Sequence, residues 1–143
     1  MQIREVMTQN VHTISPDSTL RDAAMEMSKI DAGILPVSDG NRLIGMITDR
    51  DIAIRGIGHG LGPDARVGDV MTHDVRYCFD DQDLEDVSDN MGDIQVRRLP
   101  VVDRNKRLVG IVSLGDLATS TSGALPAAEA LRGVARPGGA HQV

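Results

Sequence analysis

Two hydroxyl side chains are each followed, three positions later, by an aspartate. Thr48 and Asp51 lie in GMITDRDI (45–52), and Ser113 and Asp116 lie in GIVSLGDL (110–117). In both places an apolar strand pattern ends and apolar residues then resume. A hydroxyl and an acid at this spacing form a capping box, in which each side chain accepts a hydrogen bond from a backbone N–H at the start of a helix.

The same pair of side chains also suits a nucleoside phosphate. The first N–H groups of a helix lack partners within it and bind phosphate, and a hydroxyl beside them adds a donor. An aspartate repels phosphate but accepts hydrogen bonds from a ribose diol, as an acid does in dinucleotide-binding folds. Capping and binding are compatible, and a single occurrence of the motif favours the cap.

The motif occurs twice because the chain contains an internal repeat. Residues 6–41 align without a gap on 70–105, and 42–53 align on 107–118 after one inserted residue, Lys106. Nineteen of the 48 aligned positions are identical. Such similarity predicts two copies of one structural unit.

Each copy predicts the order β-α-β-β-α. A short strand (11–14 or 75–79) precedes a polar turn and apolar residues at helical spacing. Two apolar strands joined by a polar hairpin follow, the first containing Pro36 or Pro100, which indicates an edge or irregular strand. The capping motif then begins a second helix. The fold class is therefore α/β (α+β), and two copies this small should pack together.

The repeat also sets the predicted domain boundaries. The first copy spans 1–58, a Gly- and Pro-rich linker spans 59–68, and the second copy spans 69–121. The Ala-, Gly- and Pro-rich tail, 122–143, is predicted to form one short helix with Pro126 near its first turn and to be partly disordered.

Composition argues against several kinds of partner. The formal charge of −6 and the two aromatic residues, Tyr77 and Phe79, disfavour nucleic-acid binding. A single cysteine, Cys78, cannot form an internal disulfide, which is typical of reducing compartments. No apolar run approaches the length of a membrane span. We therefore expect a cytoplasmic protein without a nucleic-acid or membrane partner.

Catalytic and metal-binding patterns are missing from the sequence. Asp49 and Asp51 could form a metal pair, but a third ligand is not evident, and the four histidines lack ligand spacing. His73 and Cys78 lack the third partner of a nucleophile pair. We therefore expect neither an enzyme nor a metal site, and no required cofactor.

Two adjacent arginines, Arg97 and Arg98, precede an apolar strand of the second copy. Burying them would be costly without an anionic partner. They could meet a ligand, extend to solvent, or pair with the preceding acidic helix. The acids of that region are most simply a solvated face: Asp80, Asp81, Asp83, Glu85, Asp86, Asp89 and Asp93.

The repeat, its β-α-β-β-α order and its two closing motifs resemble the CBS-domain pair, named after cystathionine β-synthase. The segments DVMT (69–72) and VRRLPVVD (96–103) resemble it too. The likeness covers about residues 3–120 and is greatest to small stand-alone bacterial proteins of one pair. It implies two repeats packed sheet to sheet with pseudo-twofold symmetry, two clefts for adenosine-containing ligands, and a homodimer shaped as a flat disc.

The resemblance also assigns roles to residues. Thr48 and Ser113 would contact phosphate, and Asp51 and Asp116 would hold ribose hydroxyls. Basic residues at Arg97 and Arg98 match phosphate-contacting positions. The base pocket would be lined by strand backbone and by the ends of the first strands: Ile34, Leu35, Arg98 and Leu99, with Thr13 and Tyr77.

The two copies differ where phosphate would bind. The first copy has Gly33 and Ile34 at the positions of Arg97 and Arg98, and has Arg50 inside its motif. Two cations attract phosphate more than one, so the second cleft should bind a phosphorylated nucleotide better. The predicted function is a non-catalytic sensor of AMP, ADP, ATP or another adenosyl compound that acts on an unidentified effector protein. The alternative is a scaffold or interaction module with vestigial clefts.

Overall fold

The computed structural model describes residues 1–120 and 124–136, so the predicted disorder at 137–143 lies outside the described residues. The chain forms two compact units. The first-copy unit comprises His12–Val75. The second-copy unit comprises Met1–Val11 together with the chain from Arg76 onward. Within residues 1–120 and 124–136, no helix is long and apolar enough to cross a membrane.

The first-copy unit packs one amphipathic helix against a two-stranded antiparallel sheet. The Thr19 hydroxyl caps this helix by accepting a hydrogen bond from the Asp22 N–H, and Asp31 ends it in a left-handed conformation. The elements are α1 (Leu20–Ile30), β1 (Ile34–Asp39), β2 (Arg42–Thr48), a π-helix (Asp51–Gly56), a 3₁₀ helix (Ile57–His59) and α2 (Val67–Val70).

The second-copy unit contains a three-stranded sheet in the order β3-β4-β5. β3 pairs parallel with β4, and β4 pairs antiparallel with β5. The predicted tail helix is confirmed as α5, which packs on α3 and α4. The elements are a 3₁₀ helix (Ile3–Glu5), β3 (Cys78–Phe79), α3 (Leu84–Ile94), β4 (Arg98–Val102), β5 (Leu108–Ser113), α4 (Leu114–Thr119) and α5 (Ala124–Val134).

The first strand of each copy is shorter than the sequence predicts. Within 11–14 only Ile14 pairs, forming an isolated parallel bridge to Val37, and within 75–79 only Cys78 and Phe79 form a strand. Both predictions were wrong in extent, because β-branched and aromatic residues favour a strand there but the rest of each segment has no partner strand. The irregular proline strands are confirmed, since the register of β1 shifts after Val37 and that of β4 after Val101.

The start of each sequence copy packs in the unit of the other copy. Thr8 exchanges backbone hydrogen bonds of 2.9 and 3.0 Å with Ile111, and Thr72 exchanges bonds of 3.0 and 2.8 Å with Met46. A glycine permits each approach: a Cβ added to Gly110 would lie 3.0 Å from the Thr8 carbonyl oxygen, and one added to Gly45 would lie 3.0 Å from that of Thr72. The compact units therefore combine segments of both sequence copies.

Candidate functional site

Both hydroxyl–aspartate pairs form capping boxes at the turn from strand to helix. The Thr48 N–H donates to Asp51 Oδ2, and the Asp51 N–H donates to Thr48 Oγ1, each at 3.0 Å. In the second copy, the Ser113 N–H donates to Asp116 Oδ2 at 2.9 Å, and the Asp116 N–H donates to Ser113 Oγ at 3.1 Å. The capping interpretation is confirmed. Each carboxylate keeps its Oδ1 atom clear of these backbone bonds.

Strand register places a different side chain beside each hydroxyl. Arg98 is paired directly opposite Ser113, whereas Ile34 is opposite Thr48. Directly opposite residues of antiparallel strands project from the same face, with Cβ atoms about 5 Å apart. The second-copy hydroxyl therefore has a cationic neighbour, and the first-copy hydroxyl has an apolar one.

Arg97 and Arg98 are both exposed and belong to the second-copy unit. Neither side chain has an ion-pair or hydrogen-bond partner within the part of the chain that the structure describes. The alternative pairing with nearby acids is therefore not observed. Asp80 instead lies 3.5 Å from Arg4, and Asp81 accepts hydrogen bonds from Arg104, the shortest at 2.7 Å. Both arginines are thus available to an anion.

The two turns differ in the backbone donors that they leave free. In the first copy, the Arg50 N–H donates to Asp49 Oδ1 at 2.8 Å. In the second copy, Leu114 and Gly115 occupy these positions, and the Gly115 N–H has no acceptor among residues 1–120 and 124–136. The N–H groups one residue earlier are used alike, because those of Asp49 and Leu114 donate to the carbonyls of Gly33 and Arg97, the residues just before β1 and β4.

The second-copy turn therefore carries a donor set that has no acceptor among residues 1–120 and 124–136. It consists of the Gly115 N–H, the Ser113 hydroxyl and the Arg98 guanidinium. Neither Gly115 nor Asp49, whose carboxylate accepts from the Arg50 N–H, was among the predicted site residues. The signal that could have found them is the difference between the central residues of TDRD and SLGD.

The remaining predicted site residues fall into two groups. Thr13 and Tyr77 are exposed, and the Tyr77 ring packs edge-on against Phe79. Leu35 and Leu99 are 0% and 2% exposed and lie in the cores of their units, so their side chains cannot line a pocket. Only their backbone is available to a ligand, as the resemblance implies.

A depression of about 410 Å³ in the first-copy unit does not include the hydroxyl–aspartate pair, although Asp49 and Ile52, its chain neighbours, line it. Neither Thr48 nor Asp51 lines it. We name it the first-copy depression; its lining residues are Ala24, Met27, Ser28, Asp31, Ala32, Gly33, Asp49 and Ile52.

Cys78 carries a free thiol and is not one of the predicted site residues. Burial, and secondarily the nearby Asp80 carboxylate, raises the pKa of its thiol to about 12. The thiol is therefore protonated near neutral pH and is a poor nucleophile. In the described part of the chain, no three His, Cys, Asp or Glu side chains are grouped so that they could hold a metal ion.

Comparison with known proteins matches this geometry to one family. The family model described as CBS domain matches residues 3–56 and 67–123. The CBS domain-containing protein YhcV of Bacillus subtilis is 42% identical over 118 residues, which are 82% of this chain and 84% of that protein. Hypoxic response protein 1 of Mycobacterium tuberculosis is 38% identical over 117 residues, 80% of this chain and 81% of that one.

Two solved structures extend the comparison. A crystal structure of Hypoxic Response Protein I with two coordinated zinc ions has a TM-score of 0.75 at 38% identity, covering 82% of this chain and 97% of that chain. The structure of CBSX2 in complex with AMP has a TM-score of 0.70 at 30% identity, covering 80% and 91%. Sequence and fold thus agree on the same family.

Proposed function

The chain belongs to the CBS-domain family, and we propose that it is a cytoplasmic, non-catalytic regulatory module that binds adenine nucleotides at its two hydroxyl–aspartate pairs. The observation that carries this proposal is the duplicated pair at equivalent turns, one of them beside an unpaired arginine. The likeness to CBSX2, which was solved with AMP, supports an adenosine-containing ligand.

Each aspartate would bind the ribose without giving up its capping role. Oδ2 accepts from the backbone, whereas Asp116 Oδ1 has no partner among the described residues. A carboxylate oxygen has two lone pairs, so Oδ1 and the second lone pair of Oδ2 can accept from the two ribose hydroxyls. In the first copy, Asp51 Oδ1 lies 3.8 Å from an Arg55 nitrogen, and the Asp51 side chain is 14% exposed.

The second copy would hold the phosphate of a nucleotide. The Gly115 N–H, the Ser113 hydroxyl and Arg98 all donate hydrogen bonds, and bonds from a guanidinium to phosphate are among the stronger ones. The first copy offers the Thr48 hydroxyl and the exposed Arg50, but its Arg50 N–H is already bonded to Asp49. We therefore expect the second copy to bind AMP, ADP or ATP more tightly than the first.

Calorimetric titration and thermal unfolding with AMP, ADP, ATP, NAD and S-adenosylmethionine would test the proposal. At a ligand concentration 100 times the dissociation constant, binding stabilises the folded chain by about 2.7 kcal/mol. Asp116→Ala should weaken AMP binding more than Asp51→Ala. Equal losses from the two changes would contradict the assignment of the second copy as the tighter site.

A scaffold or interaction module is the second candidate. The observation in its favour is the row of exposed acids on and before α3, since Asp83, Glu85, Asp86, Asp89 and Asp93 form no ion pair among the described residues. Such a module would act through an effector protein or through the homodimeric disc that the family resemblance implies. No thermal shift with any of the five compounds would favour this candidate over the nucleotide sensor.

A further inference from the structure

In the second-copy unit, α5 covers the outer surface of α3 and α4. The contact is close at two glycines: a Cβ added to Gly92 would lie 3.3 Å from the Ala130 Cα, and one added to Gly133 would lie 2.5 Å from the Gly92 carbonyl oxygen. Gln95 Nε2 donates to the carbonyl oxygens of Gly133 at 3.0 Å and Arg136 at 3.1 Å. Because later residues of α3 meet later residues of α5, the two helices run in the same direction.

The first-copy depression is the counterpart of the surface that α5 covers. Its residues Met27, Ser28 and Asp31 occupy the repeat positions of Met91, Gly92 and Gln95. The floor is apolar in both units, with Met27 and Ile52 matching Met91 and Leu117. The repeat thus provides two equivalent surfaces, one covered by a helix of this chain and one open in the first-copy unit.

The open surface cannot take a helix in the way that α3 takes α5. Ser28 has a side chain where Gly92 has none, so the close glycine contact is lost. Asp31 replaces Gln95, and a carboxylate cannot donate to the carbonyls at a helix C-terminus. Asp31 and Asp49 together make this end of the depression acidic. A helix seated there needs a basic residue in its last turn.

The exposed face of α5 has this pattern. Leu125, Ala128 and Arg132 follow the spacing i, i+3 and i+7, which places them on one face. All three are exposed, Leu125 by 70%, and Arg132 forms no ion pair among residues 1–120 and 124–136. The distance along a helix from Leu125 to Arg132 is about 10 Å, close to that from Ala24 to Asp31, the residue that ends α1. Leu125 and Ala128 thus suit the apolar floor of the first-copy depression, and Arg132 suits its acidic end.

We propose that α5 of a second copy of this chain docks in the first-copy depression, parallel to α1, with Arg132 against Asp31 and Asp49. The inner face of α5, formed by Ala127, Ala130 and Val134, stays buried in its own second-copy unit. The helix would therefore contact a second chain through its outer face while its inner face stays packed in its own unit. This contact uses Asp49 of the first-copy turn but neither Thr48 nor Asp51.

Analytical ultracentrifugation of the full chain over a range of concentrations tests the contact by charge reversal. Asp31→Arg and Arg132→Asp should each weaken self-association about tenfold or more, because each turns an attraction into a repulsion. An equimolar mixture of the two variants should associate again, since the reversed charges then face each other across the contact. Asp39→Arg, in an exposed hairpin outside the depression, should leave association unchanged.

Matched thermal unfolding curves would show that the variants are folded. A second readout is a disulfide between Ser28→Cys on one chain and Ala128→Cys on another, with the buried Cys78 as an internal control. A wild-type chain that stays monomeric, reversals without effect, or a mixture that fails to associate would each overturn the proposal. Association that survives the reversals would point to a different surface, such as the helices used by the family disc.

Discussion

At the two hydroxyl–aspartate turns, the pair of residues between hydroxyl and acid decides which donors remain for a ligand. Asp49 occupies the Arg50 N–H in the first copy, whereas Leu114 cannot do so in the second, and the Gly115 N–H stays free. The sequence predicted both capping boxes because their chemistry is local. It could not predict that the Gly115 N–H stays free while the Arg50 N–H is bonded. That difference depends on the conformation of the Asp49 side chain, which turns back to accept the bond.

Arg98→Ile gives the second copy the residue that the first copy has opposite its hydroxyl. We expect this change to weaken AMP binding by about 10- to 150-fold, which corresponds to the roughly 1.5–3 kcal/mol of a hydrogen bond to a charged group. Binding of adenosine should change little, since it lacks the phosphate. Parallel calorimetric titrations of both ligands would measure the difference.

Arg107→Ile provides the matched control, because Arg107 is an exposed arginine of the second copy next to its hairpin. It should leave both affinities unchanged. Equal losses for AMP and adenosine in the Arg98 variant would show that the arginine does not act on the phosphate.

Cys78 should make stability depend on pH in alkaline solution. Its thiol has an ordinary pKa of 9.0 and a folded pKa of about 12. Between these values the unfolded chain loses the proton and the folded chain keeps it, so the free energy of unfolding falls as pH rises, by up to about 1.4 kcal/mol per pH unit. Urea titrations from pH 8 to 10.5 should show this slope in the wild type and a smaller one in Cys78→Ala. Identical slopes would contradict the buried-thiol assignment.

Among the elements, the amphipathic helices were predicted well and the short strands poorly. α1 and α3 begin where polar caps meet apolar residues at helical spacing, because these signals lie within each segment. A strand also needs a partner, and residues 11–13 and 75–77 find none along their length. The second helix of the first copy is likewise altered, since after the capping motif it winds as a π-helix from Asp51 to Gly56.

Gly110 in β5 is required by the approach of the N-terminal segment. A Cβ there would lie 2.5 Å from Met7 Sδ and 3.0 Å from the Thr8 carbonyl oxygen. We expect Gly110→Ala to lower the free energy of unfolding by about 1–3 kcal/mol, because the backbone atom cannot yield cheaply. Urea denaturation would measure the loss. Gly62→Ala, with open space around its Cβ, should stay within about 0.5 kcal/mol of the wild-type free energy of unfolding. Equal losses at Gly62 and Gly110 would contradict the claim that a side chain at Gly110 is crowded by Thr8.

At the scale of the whole molecule, each compact unit depends on residues from the other sequence copy. The N-terminal residues Ile3, Thr8 and Val11 belong with the chain from Arg76 onward, and Val70 and Thr72 belong with the first copy. Ile3 is fully buried in the core of the second-copy unit. A change at the N-terminus should therefore be felt mainly in the second sequence copy.

Ile3→Ala should destabilise the second-copy unit by about 2–5 kcal/mol, the range for truncating a buried isoleucine. Hydrogen exchange resolved by residue would show faster exchange in 76–120 than in 12–75. Gln9→Ala, at an exposed position of the same segment, is the control. Loss of protection confined to 12–75 would contradict the assignment of the N-terminus to the second-copy unit.

By itself, the sequence determined the internal repeat, the mixed fold class, the helix caps and the paired hydroxyl–aspartate motif. All of these depend on residues close together in the chain or on similarity between its copies. Tertiary structure alone decided that the segment ending at Thr8 pairs with Ile111 and the one ending at Thr72 with Met46, because long-range hydrogen bonds leave no periodicity in the sequence. It also decided that α5 covers the surface of α3 and α4, whereas the first-copy depression is not covered by α5. The sequence does not show this, because the close packing of Gly92 on Gly133 is a contact between two backbones that are far apart in the chain.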